Sequence, residues 1–211
     1  MLGEMLQNVR ENRPLVHCIT NYVTANDCAN LLLACGGSAI MADEMEEAEE
    51  VTSLCGGLVL NLGTPNPRKV EAMLRAGREA NRMGRPVVFD PVGVGCSAFR
   101  REASSRILEQ VQLSVIRGNA SEIAALTGGE AGRCGVDADA SAASAEESAR
   151  LLAKKTGAVV VASGATDLVT DGEALYCVHN GHPMMRTVTG TGCQLSASVS
   201  YTHLRAHETS Q

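Results

Sequence analysis

The sequence predicts an α/β fold with a mostly parallel central sheet, and three observations carry that expectation. Short apolar runs of four to seven residues alternate with longer helix-period segments along nearly the whole chain, which is the pattern of βαβ units. The apolar runs are close to continuous and not alternating, as strands buried on both faces require. Hydrophobic residues make up 45% of the chain but aromatics only 2%, with no tryptophan. The core must therefore be built from Ala, Val, Leu, Ile and Met, which suits helices packed on such a sheet.

The elements follow in order. "PLVHCIT" precedes the helical "ANDCANLLLACGG", "SAIMA" precedes "EMEEAEEVTSL", and "GLVLNLG" precedes "PRKVEAMLRAGREANRMG". "PVVFDPVG" leads to "REASSRILEQV", "LSVIRGN" to "SEIAALTGG", and "AVVVASG" follows "AEESARLLAKKTG". Gly84-Arg85-Pro86 and Gly157 stand where helices stop. "DLVTDGEALYCVHN" differs, being two β-prone runs around Asp171-Gly172, so a hairpin adds antiparallel strands late in the sheet. The N-terminal "MLGEMLQNVRENRP" reads as an amphipathic helix, and "GGEAGRCGVDADASAAS" (128–144) as a Gly/Ala/Ser-rich loop. A length of 211 residues fits one domain. That domain is expected to span 1–199, with 200–211 as an atypical tail, because the helical period fades at "YTHLRAHETSQ".

Composition excludes several function classes. The net charge is −6 without a basic tract, which argues against nucleic acid and anionic membranes as partners. No apolar run reaches the roughly 20 residues of a membrane span, and the N-terminus lacks a signal-peptide pattern, so a cytoplasmic protein is expected. The eight cysteines form no C-x-x-C and no Cys/His cluster of zinc spacing. Most are expected to behave as small buried hydrophobes. His203 and His207, four apart in a polar tail without a third ligand, read as solvated.

In an open parallel sheet, ligands bind beyond the carboxyl ends of the strands. Here those ends read Thr20-Asn21, Met41-Ala42-Asp43, Asn61-Leu62-Gly63-Thr64, Asp90-Pro91-Val92-Gly93, Arg117-Gly118-Asn119 and Ser163-Gly164. Each alone is ordinary turn chemistry. Together they make a polar rim. Arg117 offers a planar fork for phosphate oxygens. Asp90 and Glu122 are hard oxygen ligands able to serve Mg²⁺ directly or through water. Glu122 also lies three residues after Asn119, the spacing of a capping box, and the two roles are compatible. Gly190-Thr191-Gly192 opens the last helix, whose free N–H groups form an anion site. It is neither a P-loop nor a dinucleotide fingerprint. With a separate Arg and two acids, it points to phosphoryl transfer.

These residues bring the chain close to a known family. "PLVHCITNYV", "ANLLLACGGSAIMA", "LVLNLGT", "FDPVGVG", "IRGNASEI", "GRCGVDA", "VVVASG" and "VTGTGC" run in order over about residues 14–199, and with them the chain resembles the hydroxyethylthiazole kinases of the ribokinase-like superfamily. The resemblance implies a three-layer αβα ribokinase-like fold. It implies ATP-dependent phosphorylation of the primary alcohol of 4-methyl-5-(2-hydroxyethyl)thiazole, with Mg²⁺, by a homotrimer whose active sites lie at subunit interfaces. By position, Met41, Gly190 and Asn21 fall on the alcohol side. Arg117, Ser163, Thr191 and Gly192 fall on the ATP phosphates, and Asp90 and Glu122 serve Mg²⁺. Ser163 stands where the family more often has Thr. Cys193 takes the place where most of the superfamily carries a catalytic Asp. It is expected to position the hydroxyl and accept its proton late, without a covalent intermediate.

Competing readings have distinct marks. A hydroxymethylpyrimidine-type kinase, or a phosphate-dependent dehydratase on the same scaffold, is expected to carry Asp at the position of Cys193. A nucleotide-binding remnant would bind ATP without turnover, because the family's sequence continues beyond this chain's tail with helices that cover the sheet. A thiol nucleophile would need His17, His179 or His182 beside Cys193.

Overall fold

The computed structural model describes residues 13–128 and 142–203. The expected N-terminal helix, the 132–138 motif, most of the 128–144 loop, Cys134, His207 and residues 204–211 of the tail lie outside the described residues.

Eight strands form one sheet: β1 (Leu15–Ile19), β2 (Ser38–Ile40), β3 (Gly57–Asn61), β4 (Val87–Asp90), β5 (Val115–Asn119), β6 (Val159–Ser163), β7 (Asp167–Thr170) and β8 (Leu175–Val178). Their order across the sheet is β2-β1-β3-β4-β5-β6-β7-β8. The first six are mutually parallel. β7 and β8 are antiparallel additions, joined at Asp171-Gly172 as the sequence predicts. Among the described residues the α-helices are α1 (Ala25–Ala34), α2 (Ala48–Leu54), α3 (Pro67–Arg82), α4 (Ala98–Gln110), α5 (Ala120–Leu126), α6 (Ala142–Thr156) and α7 (Thr191–His203). α7 runs across Ser200, whose buried hydroxyl bonds back to the Ala197 carbonyl.

The strands are apolar throughout because both faces are used. On one face Ile19, Leu58, Leu60, Phe89, Ile116 and Val160 meet residues of α2 to α6, such as Met73, Ile107 and Leu152. On the other, Val16, Cys18 and Val59 meet Cys28 and Leu32 of α1 and Ala197 of α7. Each large side chain fully buried this way stabilises the fold by about 1.5–3 kcal/mol. This second face is less covered toward the hairpin. Val159 and Val161 are half-buried there, whereas Val160 and Ala162, pointing the opposite way, are buried.

Local signals fix the ends of the helices. Asn66 caps α3 by accepting from the Lys69 N–H, with Pro67 at the first helical position. Ser97 caps α4 in the same way. Gly84 and Gly157, with φ of +65° and +73°, follow the ends of α3 and α6.

Most of the described cysteines are buried or, like Cys35 and Cys193, packed against the core, with two exceptions. Cys18, Cys28 and Cys55 are buried, but Cys96 and Cys177 are exposed. Cys177 lies on the outermost strand, β8, and Cys96 in a 3₁₀ turn after β4, where neither faces the core.

Candidate active site

Strand order reverses between β1 and β3: the chain goes outward from β1 to β2, then returns to the other side. Such a reversal opens a crevice at the carboxyl ends of the strands. Asn21 follows β1, Asn61 ends β3 and Asp90 ends β4. The first turn of α7 sits over the same point and brings Cys193.

Asn21 and Asn61 aim their amides at the sulfur. Asn21 Oδ1 accepts the backbone N–H groups of Val23 and Thr24, both at 3.1 Å. Asn61 Oδ1 accepts the Gly63 N–H at 2.9 Å. Backbone donors thus fix which end of each amide is oxygen. Asn21 Nδ2 then donates to Asn61 Oδ1 at 3.0 Å and to Cys193 Sγ at 3.3 Å. Asn61 Nδ2 donates to Asp90 Oδ2 at 2.9 Å and to the same sulfur at 3.3 Å. Gly63 is required beside them, since a Cβ there would lie 2.6 Å from Asn21 Cβ.

Asp90 is the buried charge of the site. It is 1% exposed, and Oδ2 also accepts from the Ser196 hydroxyl at 2.7 Å. Arg117 Nη1 stands 3.9 Å away. Burial pushes the Asp90 pKa up to about 6; Arg117 opposes this, the nearby Glu122 adds to it, and the Ser196 and Asn61 hydrogen bonds hold it down.

Arg117 faces the start of α7. Its Nη2 donates to Ser163 Oγ at 2.7 Å, while the buried Nε has no protein partner. A Cβ on Gly192 would lie 2.7 Å from Nη1, so glycine lets the guanidinium reach the helix start. Gly190 is needed for two reasons. Its φ is +81°, and a Cβ would lie 2.3 Å from Thr24 Cγ2. Thr191 opens α7 between these two glycines.

Glu122 closes the other side. The capping box is formed: Asn119 Oδ1 accepts the Glu122 N–H and Glu122 Oε2 accepts the Asn119 N–H, each at 2.8 Å. Its Oε1 takes the Gly93 N–H at 2.8 Å, tying the turn after β4 to that after β5. Arg100 of α4 reinforces the same region by donating to the carbonyls of Leu62, Gly63 and Val92.

Among the described residues, no group of three or more His, Cys, Asp and Glu is placed to hold a metal by itself. Asp90 and Glu122 supply two carboxylates at one rim. One or two carboxylates completed by phosphate oxygens and water is the set that Mg²⁺ accepts. The residues therefore fit an ion delivered with a phosphate ligand.

The site thus joins Asn21, Asp90, Arg117, Ser163, Gly192 and Cys193 by direct contact, with Glu122 linked through Gly93. Met41 directly follows β2, on the strand-end loop next to that of β1, and is exposed. Asn61, named in the sequence only as part of the polar rim, completes the constellation with Ser196 and Arg100, which the sequence does not mark. Asn at a strand end looks like turn chemistry, and Ser196 is placed only by the phase of α7. Among the described residues none of the three candidate histidines partners Cys193: His17 bonds Thr52 and Ala42, His179 bonds Thr166, and His182 bonds Met184. The thiol-nucleophile reading lacks its base.

Comparisons with known proteins give the family and the fold. The family model described as hydroxyethylthiazole kinase matches residues 6–209. A hydroxyethylthiazole kinase of Clostridium acetobutylicum is 50% identical over 204 residues, covering 93% of this chain and 75% of the relative. A solved hydroxyethylthiazole kinase structure from Pyrococcus horikoshii OT3 superposes with a TM-score of 0.86 at 40% identity, covering 96% of this chain and 76% of that one. A ribokinase-like superfamily protein from Enterococcus faecalis V583, 12% identical with a TM-score of 0.62, covers 94% of this chain and 77% of that one; it shares the three-layer fold. This chain belongs to the hydroxyethylthiazole kinase family.

Proposed function

We propose that the chain phosphorylates the primary alcohol of 4-methyl-5-(2-hydroxyethyl)thiazole with ATP. The observation that carries the reading is Cys193. It sits at the switch point on the first turn of α7, its sulfur is held by two amides, and Arg117 and Asp90 lie alongside. That is the layout in which an acceptor hydroxyl beside Cys193 faces a phosphoryl group at the helix start.

In the reaction the alcohol oxygen bonds to the γ-phosphorus, the bond from that phosphorus to the bridging oxygen breaks, and ADP leaves. Backbone N–H groups of Gly190 to Cys193 and the Arg117 fork bear the negative charge on the transferring group. Asp90 and Glu122 would hold Mg²⁺, directly or through water, and the ion would neutralise phosphate charge. Asn21 and Asn61 fix the sulfur so that it orients the hydroxyl and takes its proton late. A loose transition state needs little help from a strong base. Ser163, through its contact with Arg117, belongs to the ATP side; Met41 and Gly190 belong to the alcohol side.

We take the working form to be a homotrimer with sites at subunit interfaces. Tyr22 and Val23, next to Asn21, are 69% and 64% exposed, as side chains awaiting a neighbour would be. Among the described residues no helix is long and apolar enough to cross a membrane, and the use of ATP argues for a cytoplasmic reaction.

The test is ADP release by purified protein with Mg²⁺ and ATP. Release should depend on the thiazole alcohol. Binding of ATP without turnover would favour the remnant, and turnover only with a hydroxymethylpyrimidine would favour the related kinase.

A further inference from the structure

Among the largest buried side chains of the described residues is a lysine. Lys69, in the first turn of α3, is 1% exposed. Its Nζ donates to the Thr20 carbonyl at 3.0 Å, pairs with Asp43 Oδ2 at 3.0 Å, and lies 3.8 Å from the centre of the Tyr22 ring. A carbonyl, a carboxylate and a π face thus surround one cation. All three partners belong to two strand-end loops. Thr20 and Tyr22 flank Asn21, and Asp43 lies two residues beyond Met41.

A second buried side chain holds the same loop from the sheet. His17 is fully buried. Its Nε2 lies 2.8 Å from the Ala42 carbonyl, which only accepts, so Nε2 carries the proton. Nδ1 is 2.8 Å from Thr52 Oγ1. The 41–43 segment is therefore anchored at consecutive residues, Ala42 by His17 and Asp43 by Lys69. Of these two side chains, Lys69 also grips the β1-end loop.

We propose that Lys69 is a positioning residue for the acceptor alcohol: it locks the loop carrying Asn21 to the loop carrying Met41 and so sets the spacing of the two loops. This rests on the assignment of Asn21 and Met41 to the alcohol side. Buried cations are costly and are kept only where well paired. Here all the pairing is spent on the two loops and none on the core.

Lys69→Met keeps the side chain's bulk and removes the charge, and it strands no buried acid because Asp43 is about one-third exposed. Hydrogen exchange of segments 20–24 and 41–46, without ligand, reads the lock directly. Steady-state kinetics reads its use. The expected result is exchange in both segments faster by about tenfold, and an alcohol KM raised about tenfold, as loss of a charge-assisted contact gives. The ATP KM and kcat should stay within about twofold, because the contact acts on acceptor binding alone. Lys69→Arg should recover part of the alcohol KM. Unchanged exchange overturns the proposal, as does loosened exchange with an unchanged alcohol KM, or an equal loss in kcat and both KM values. If Lys69→Met does not fold, Asp43→Asn decides: it must raise the alcohol KM by about threefold, reflecting its partial exposure, and no change overturns the proposal. If the wild-type chain acts on another alcohol, the functional reading fails separately, and the same comparison is made with that alcohol.

Discussion

The Asn61 amide reaches Cys193 Sγ at 3.3 Å across 132 residues of sequence. The same nitrogen holds Asp90 Oδ2 at 2.9 Å. One side chain therefore sets the distance between the proposed proton acceptor and the buried carboxylate of the site.

Removing that amide should disorganise both partners. In Asn61→Ala, Asp90 and Cys193 each lose a donor, and the Asn21 amide and the Gly63 N–H lose their acceptor. Leaving buried groups unpaired costs about 1–3 kcal/mol of stability, measurable by urea unfolding. kcat should fall about tenfold or more, because preorganisation of the reacting groups is lost. A variant with native kcat would show that the network serves folding only.

Cys193→Ala tests the sulfur itself. kcat should fall by about 10- to 100-fold, at or below the lower end of general-base contributions, because the transition state is loose. Intact-protein mass spectrometry of the wild type during turnover should show no phosphocysteine. A trapped phosphoprotein, or an unaffected kcat, would refute the role assigned to Cys193.

The strand-end chemistry was readable before the fold because four of the six parallel strands finish on Asn, Asp or Ser, and the other two, ending at Ile19 and Ile40, are followed within three residues by Asn21 and Asp43. The switch-point rule then places these ends together without any distance being known. The hairpin was equally legible from Asp171-Gly172. What stayed hidden depended on three-dimensional phase. Lys69 sits in a helix of ordinary amphipathic spacing, so nothing in the sequence separates it from a solvated lysine. Ser196 is one turn beyond Gly192, and only the seating of α7 on β3 and β4 brings its hydroxyl to Asp90. The exposed Cys96 and Cys177 show the limit of reasoning from residue type alone. Burial of a thiol depends on where its element sits: Cys18 on an interior strand and Cys28 on a helix facing the sheet are buried, Cys177 on the edge strand and Cys96 in a turn are not.

Gly192→Ala should act on the nucleotide side. A methyl group 2.7 Å from Arg117 Nη1 must push the guanidinium away from the helix start. The ATP KM should rise by about tenfold or more, as loss of a charge-assisted hydrogen bond implies, with a smaller effect on the alcohol KM. Equal rises in both would mean that Arg117 does not face the nucleotide.

Asp90 gives a pH signature. Its folded pKa of about 6 lies above its unfolded value. The protonated form is thus favoured in the fold, and its stabilising contribution is complete below about pH 4 and lost as pH rises through about 6. By pH 7 the ionised side chain costs about 3 kcal/mol relative to the protonated one. Asp90→Asn cannot ionise. Its stability relative to wild type should therefore improve between pH 4 and 7, approaching that amount, while its kcat at pH 7.5 falls about 100-fold for loss of the charge that organises the site. A stability difference that does not vary with pH would contradict the buried-carboxylate account.

The most direct measurement of the central claim is product analysis. The purified chain is incubated with Mg²⁺, ATP and a panel of small primary alcohols, and phosphomonoesters are identified by ³¹P NMR and mass spectrometry. The account predicts one phosphomonoester, formed on the hydroxyethyl oxygen of the thiazole with one ADP per product, and formed far more slowly by Cys193→Ala. Phosphorylation of a hydroxymethylpyrimidine in preference to the thiazole, or ATP bound with no phosphomonoester formed, would contradict it.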